Sequence, residues 1–316
     1  MHEQLDFVHD LMSTPGPGYR GRFAPTPSGP LHLGSLLTAL AGWLRARQAQ
    51  GRWLLRIDDL DRARCPPGAS AVILRQLEAH GLHWDEAPRL QSQHVEEYAE
   101  ALEQLRALGT VYPCVCTRAR LAAESRPGPD GPVYSGRCRQ GPCDSTAPSA
   151  LRWLVTAGRV ELQDPVQGRL WRNAETEIGD FVLRRSDGVY GYQLACVVDE
   201  QAQGITEVVR GADLIGSSLR QLLLLRALRS PVPAYVHLPV LTAADGRKLS
   251  KQNGATALDE KTVGANLLFC LRALGQHPPA DLRRAPTPEI LDWALQHWRL
   301  AQVPLTRQQN IPDFPG

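Results

Sequence analysis

The sequence predicts an α/β nucleotide-binding fold, interrupted by an insert that carries most of the cysteines and followed by a short helical C-terminal region. Three observations point there. Stretches that read as strand, helix, strand and helix succeed one another through residue 109, the order of a nucleotide-binding α/β unit. The first of those strands runs through a Pro/Gly loop directly into a helix start. At Val111 the pattern breaks, and four of the seven cysteines then fall within 30 residues.

Taken in order, residues 1–18 read as an N-terminal extension closing on the breaker run Pro15-Gly16-Pro17-Gly18. Tyr19–Ala24 reads as a strand and Pro25–Pro30 as a loop. From Leu31 the stretch LHLGSLLTALAGWLRARQAQG has helical apolar spacing, with Gly51 as its stop. WLLRIDDLD is a buried strand ending in carboxylates, and 68–81 and 94–109 are amphipathic helices. These make 19–112 the first half of the α/β domain. The insert, 113–180, holds PGPDGP and QGPCDSTAPS, then β-like LRWLVTAGRVELQDPVQGRLW. A hairpin around Asp187-Gly188 opens the second half, 181–255, which continues through ITEVVRGADLIG and YVHLPVLTAADGRKLSK. Residues 256–316 are helical in pattern.

Composition bounds the partners. A formal net charge of +2 is close to neutral for 316 residues, so a nucleic acid would have to be met by a local basic surface. No stretch approaches the ~20 apolar residues needed to span a bilayer; Leu222–Leu225 is short and flanked by Arg220 and Arg226. The N-terminus lacks a basic region followed by an apolar core, which argues against a secretory signal. Clustered cysteines in such a chain suggest a metal site before a disulfide framework, and a cytoplasmic location.

Two segments carry phosphate chemistry. In GRFAPTPSGPLHLGSLLTAL, His32 and Gly34 stand at a helix start, where unpaired N–H groups and the positive dipole end suit a triphosphate. His32 can donate to a phosphate oxygen, and Gly34, without Cβ, lets an adenine ring lie against the backbone. In GRKLSKQN, Lys248 and Lys251 flank Leu-Ser in a glycine-bordered loop, giving cations able to follow phosphate charge into the transition state. A lone His-x-Gly is more often a cap, and a lone KxxK a solvated turn. Together, with the RFAPTPSG lead-in, they resemble the two signatures of class I aminoacyl-tRNA synthetases in the form of the glutamyl and glutaminyl branch. Leu249 and Gln252 stand where that family carries methionine and serine. The resemblance implies a Rossmann-type catalytic domain, ATP as substrate with Mg²⁺ screening its phosphates, and catalysis by His32 and Lys251.

A glutamate pocket needs a cation for the side-chain carboxylate and an acceptor for the ammonium, and arginine's planar fork suits the first. RFAPT, RIDD, GYQLA and VVRGADL resemble the family's glutamate-pocket segments in the same chain order. That resemblance implies Arg22, Thr26, Asp58, Tyr192 and Arg210 as glutamate-binding residues, with Asp58 for the ammonium. The family usually has glutamate at position 58; aspartate is one methylene shorter, so a water would intervene.

Cys114-x-Cys116 and the later Cys138 supply three thiolates where tetrahedral zinc wants four ligands. Spacing alone offers Cys143 as the fourth. The resemblance offers Tyr134, because VYSGRC looks like the Cys-x-Cys…Tyr-x3-Cys arrangement of a small glutamyl-synthetase-like family, and implies one structural Zn²⁺. Residues 252–316 hold a few helices but hardly an independent anticodon reader. Across 19–275 the chain therefore resembles the stand-alone glutamyl-Q tRNA(Asp) synthetases. That implies activation of glutamate without tRNA, transfer to queuosine in the anticodon loop of tRNA(Asp), no membrane partner and a monomer. A truncated synthetase charging a tRNA 3′ end, a small-molecule adenylyltransferase, and an inactive RNA-binding paralogue are the alternatives.

Overall fold

The centre of the molecule is the strand Arg20-Gly21-Arg22-Phe23, and the computed structural model describes residues 18–141, 146–242 and 257–310 around it. In chain order, β1 (Arg20–Phe23) leads to α1 (Leu33–Gln48), β2 (Arg52–Ile57), α2 (Ala69–Ala79), β3 (Arg89–Leu90) and α3 (Val95–Ala107). The insert follows as β4 (Val111–Cys114), α4 (Arg118–Glu124), β5 (Ala150–Trp153), β6 (Arg159–Asp164), β7 (Gly168–Asn173) and β8 (Phe181–Arg184). The second half returns as α5 (Tyr192–Ala202), β9 (Glu207–Gly211), α6 (Ile215–Ala227), β10 (Ala234–Leu238) and β11 (Val240–Thr242). It closes with α7 (Val263–Ala273), α8 (Thr287–His297) and β12 (Gln308–Asn310).

Five strands form a parallel sheet in the order β10-β9-β1-β2-β3. The chain builds outward from β1 on one side and resumes on the other with β9. The strand order therefore reverses between β1 and β9, and ligands of open α/β sheets bind outside the carboxyl ends of strands at such a switch point. The flanking strands pair at Gly21–Glu207. One residue on, Arg22 Nη1 donates to Val209 O at 3.3 Å.

Helix α1 forms because Leu33, Leu36, Leu37, Leu40, Ala41 and Leu44 recur at helical spacing, and all are buried. Arg45 and Arg47 in its last turn complement the dipole. The residue that turns the chain out of it is Gln50, at φ 50°. Gly51, the expected stop, serves a close approach instead: a Cβ there would lie 2.4 Å from Tyr19 O.

The sheet departs from expectation in several places. The short strand β3, unanticipated, extends the sheet by pairing Arg56 with Arg89. The Asp187-Gly188 turn forms, with Arg185 N–H donating to Val189 O at 2.8 Å, but its return arm is a single Arg184–Tyr190 bridge. From Tyr192 the chain is helical, and its buried residues recur at helical spacing, Ala195 with Asp199 and Cys196 with Glu200. The C-terminal region is not wholly helical either, since β12 pairs in parallel with β11.

The described residues of the insert have one small cluster of their own, Cys114, Tyr134 and Cys138 with Tyr112, Val115 and Leu121 packed against them. Strands β4, β5 and β8 make a small antiparallel sheet, β6 and β7 a hairpin, and their inner residues Trp153, Leu162, Leu170 and Phe181 join one cluster with α3, α5 and α6. A second cluster joins α1 to α7 and α8 through Leu267, Leu271 and Trp298. No helix among the described residues is long and apolar enough to cross a membrane.

Candidate active site and metal centre

A cleft of about 360 Å³ opens at the switch point. The end of β1 and its loop contribute Arg22, Pro25, Thr26 and Ser28, and the first turns of α1 give His32, Gly34, Ser35 and Thr38. Across it stand Tyr192 at the start of α5, Arg210 and Gly211 at the end of β9, and Val240. The loop is anchored by Asp58 N–H, which donates to Pro25 O at 3.0 Å.

His32 is the N-cap of α1, in extended conformation, and its Nδ1 accepts from Ser35 N–H at 3.3 Å. That leaves the proton on Nε2, 3.1 Å from Ser35 Oγ. The ring is thus held at the mouth of a helix whose first N–H groups have no partner within the helix, a ready anion site.

Beneath this floor lies a buried charge network. Arg22 Nη2 and Nε donate to Glu200 Oε1 at 2.8 and 3.1 Å. Arg210 Nη1 donates to Gln221 Oε1 at 2.8 Å and to Ser218 Oγ at 3.3 Å, and Nη2 reaches Glu200 Oε1 at 3.4 Å. Arg56 completes it, with Nε 2.7 Å from Asp58 Oδ1 and Nη1 3.7 Å from Glu200. Burial alone would raise the Glu200 carboxyl, but Arg22, Arg210 and Arg56 hold it below the usual carboxylate range. At Asp58 burial wins over Arg56 and the pKa is raised. Glu200 Oε2, Arg210 Nε and Arg56 Nη1 are buried without hydrogen-bond partners. Buried polar groups are normally satisfied, and of these three residues Arg210 also lines the cleft.

In the insert, the sulfur atoms of Cys114, Cys116 and Cys138 lie within 4.8 Å of one another. Tyr134 Oη is 3.5 Å from both Cys114 Sγ and Cys116 Sγ, and the Cys116 and Cys138 sulfurs are 3.7 Å apart. A tetrahedral zinc with Zn–S of about 2.3 Å and Zn–O of about 2.0 Å requires S···S near ~3.8 Å and S···O near ~3.5 Å. The donor set therefore fits Zn²⁺. Cys138 N–H donates to Tyr134 Oη at 3.0 Å, and the Arg152 guanidinium lies 4.0 Å from the Tyr134 ring centre. Burial raises the Cys114 thiol, but hydrogen bonding with Tyr134, Cys116 N–H and Arg152 outweighs it and brings it to about 7.

The family described as tRNA synthetases class I (E and Q), catalytic domain, matches residues 19–268. The glutamyl-Q tRNA(Asp) synthetase of Thiobacillus denitrificans is 50% identical over 284 residues, 90% of this chain and 94% of that one. The chain belongs to the glutamyl-Q tRNA(Asp) synthetase family. Another relative of that name, from Methylococcus capsulatus, is 47% identical over 94% of this chain and 97% of its own. Among solved structures, the glutamate-tRNA synthetase of Elizabethkingia anophelis superposes with a TM-score of 0.76 at 26% identity, covering 93% of this chain and 68% of that one.

For this glutamyl-Q tRNA(Asp) synthetase family member, the structure brings Arg22, Thr26, His32, Gly34, Tyr192 and Arg210 to one cleft. Asp58 is not part of its lining; it is buried two residues from Arg56, on the same side of the strand, and both its oxygens face that guanidinium. Lys248, Lys251 and Cys143 lie outside the described residues. Glu200 and Arg56 were not anticipated. A signal for Glu200 exists, since Tyr192, Cys196 and Glu200 are spaced by four and share one face of α5.

Proposed function

We propose that this chain activates glutamate with ATP and transfers the glutamyl group to queuosine in the anticodon loop of tRNA(Asp), working as a cytoplasmic monomer. The observation that carries the first half is the convergence of Arg22 and Arg210 with the His32 helix start in one cleft. Membership of the glutamyl-Q tRNA(Asp) synthetase family carries the second.

In this reading Arg210 and Tyr192 take the side-chain carboxylate, while Arg22 and Thr26 orient the α-carboxylate. Asp58 reaches the ammonium through an intervening water. His32, Gly34, Lys248 and Lys251 bind ATP, and Mg²⁺ screens its phosphates. An oxygen of the glutamate α-carboxylate attacks the α-phosphorus; the new P–O bond forms as pyrophosphate leaves. A queuosine hydroxyl then attacks the acyl carbon, its proton is lost, and AMP departs. No side chain becomes covalently attached, so catalysis is positioning and charge stabilisation. Cys114, Cys116, Tyr134 and Cys138 hold one structural Zn²⁺, which clamps the insert.

The deciding experiment supplies labelled glutamate and ATP with unfractionated tRNA, then locates the label. Label on a base of tRNA(Asp), absent when the tRNA lacks queuosine, is expected. Label on a 3′ ribose would instead identify a synthetase charging the acceptor end, and no glutamate-dependent pyrophosphate exchange would identify an inactive paralogue.

A further inference from the structure

Behind Arg210 stands a chain of side chains none of which lines the cleft. Ser218 Oγ lies 2.7 Å from His237 Nε2, and His237 Nδ1 lies 2.7 Å from Asp164 Oδ2. The order resembles a hydrolytic triad, but Ser218 and His237 are wholly buried and Asp164 nearly so. No substrate reaches the serine oxygen, so nucleophilic chemistry is closed to it. The far end of the chain is what matters: Ser218 Oγ accepts from Arg210 Nη1 at 3.3 Å.

The direction of every bond follows from the acceptor at one end and the donor at the other. Asp164 is an acceptor only. Its Oδ2 also takes His237 N–H at 2.9 Å, and its Oδ1 takes Val166 and Gln167 N–H, each at 2.8 Å. The facing His237 nitrogen, Nδ1, must therefore carry the proton. Burial lowers the imidazole's pKa, so the ring is neutral and Nε2 is left as an acceptor. Ser218 Oγ has two acceptors within reach, Leu214 O at 3.2 Å and the unprotonated His237 Nε2 at 2.7 Å; the shorter contact takes its only proton, which turns its lone pairs toward the Arg210 guanidinium. Tyr235, stacked on His237 with ring centres 6.0 Å apart, keeps the imidazole in plane.

We infer that Asp164, His237 and Ser218 form a one-way hydrogen-bond relay that fixes the pose of Arg210, making Ser218 and His237 positioning residues for recognition of the amino acid's side-chain carboxylate. The relay rests on the reading of Arg210 as a glutamate-binding residue. Asp164 ends strand β6 at the turn of the insert hairpin, and Gln167 in that turn donates to His237 O at 3.1 Å. The seat of the hairpin on the catalytic sheet and the geometry of the amino-acid pocket are thus set by the same buried groups.

The test is a cycle of Ser218→Ala, Arg210→Ala and the double variant in glutamate-dependent pyrophosphate exchange. Ser218→Ala removes one oxygen and leaves the fold's apolar contacts in place. Loss of a hydrogen bond to a charged group predicts a rise in KM for glutamate of about tenfold or more, with KM for ATP within about twofold of wild type. In the Arg210→Ala background the serine change should add nothing. An unchanged glutamate KM, a parallel rise for ATP, or an undiminished effect without Arg210 overturns the relay. If Arg210→Ala itself leaves glutamate KM unmoved, the pocket reading falls and takes the relay's purpose with it. Independently of both, ¹⁵N shifts of histidine-labelled protein should show His237 as the neutral Nδ1–H tautomer; an Nε2–H tautomer overturns the direction of the chain.

Discussion

Glu200 meets three guanidinium groups, Arg22 at 2.8 Å, Arg210 at 3.4 Å and Arg56 at 3.7 Å, all in the interior. One carboxylate thus bridges the two guanidinium groups proposed to receive the substrate's carboxylates and offsets half their charge, where water cannot help. Removing one partner of a buried pair leaves charge without compensation, which costs about 3–5 kcal/mol. Glu200→Gln is accordingly expected to lower unfolding free energy in urea by about 3 kcal/mol. Glu86, bonded to Arg20 at 2.8 Å but 35% exposed, is the control: Glu86→Gln should cost less than about 1 kcal/mol. Equal losses at the two sites would show that the buried network is not held by charge. At this scale the cleft was legible wherever a short segment resembled a family segment, as for Arg22, His32, Tyr192 and Arg210. Glu200 was written in the i+4 spacing of α5, but a carboxylate at the far end of a helix announces nothing until its partners on β1 and β9 are known. Asp58 shows the converse: two residues from Arg56 on one strand, it shares a side with that guanidinium, and the local pair engages both its oxygens.

Elements fared according to how much of their stability is local. Helix α1 was legible because its apolar stripe and His32 cap are written in consecutive residues. Strand β3, two residues long, and β12, which exists by pairing with β11, depend on partners distant in sequence. The insert lies between these cases. Its cysteine spacing announced a metal site but left two candidates for the fourth donor; Tyr134 Oη sits 3.5 Å from two sulfurs, and Cys143 lies outside the described residues. Cys138 N–H donates to that oxygen, but burial and the neighbouring cysteines raise the phenol's pKa, so a metal would itself have to drive its deprotonation. Tyr134→Phe keeps the ring under Arg152 and deletes only the donor. One equivalent of zinc is expected in the wild-type chain, and the variant should surrender it to a chelator at least about tenfold more readily. Unaltered retention in Tyr134→Phe together with loss in Cys143→Ala would give the fourth place to Cys143.

Across the whole molecule, two buried histidines stand where distant parts of the chain meet the central sheet. His80, at the end of α2, lies 2.6 Å from Gln76 O through Nδ1 and 3.1 Å from Asn266 Nδ2 of α7 through Nε2. The same Gln76 accepts from Leu31 N–H at 2.7 Å and donates to Leu258 O at 3.1 Å, tying the lead-in of the His32 turn to the C-terminal region. His237 plays the corresponding part between α6 and the insert hairpin. Neither was legible as a junction, because a single histidine in an apolar stretch carries no mark of what it will face. Burial lowers the pKa of both imidazoles from the ordinary 6.5. The unfolded chain therefore takes up protons below about pH 6.5 that the folded chain refuses, so the stability they contribute is fully present above that pH and is lost as pH falls. Each proton adds a slope of up to about 1.4 kcal/mol per pH unit. Urea unfolding followed from pH 7.5 to 5.5 should show stability declining, and His80→Gln should remove about one proton's share of that slope while leaving His237's. A slope unchanged by that substitution would mean that His80 titrates alike in both states, and that the junction between α2 and α7 does not depend on a neutral imidazole.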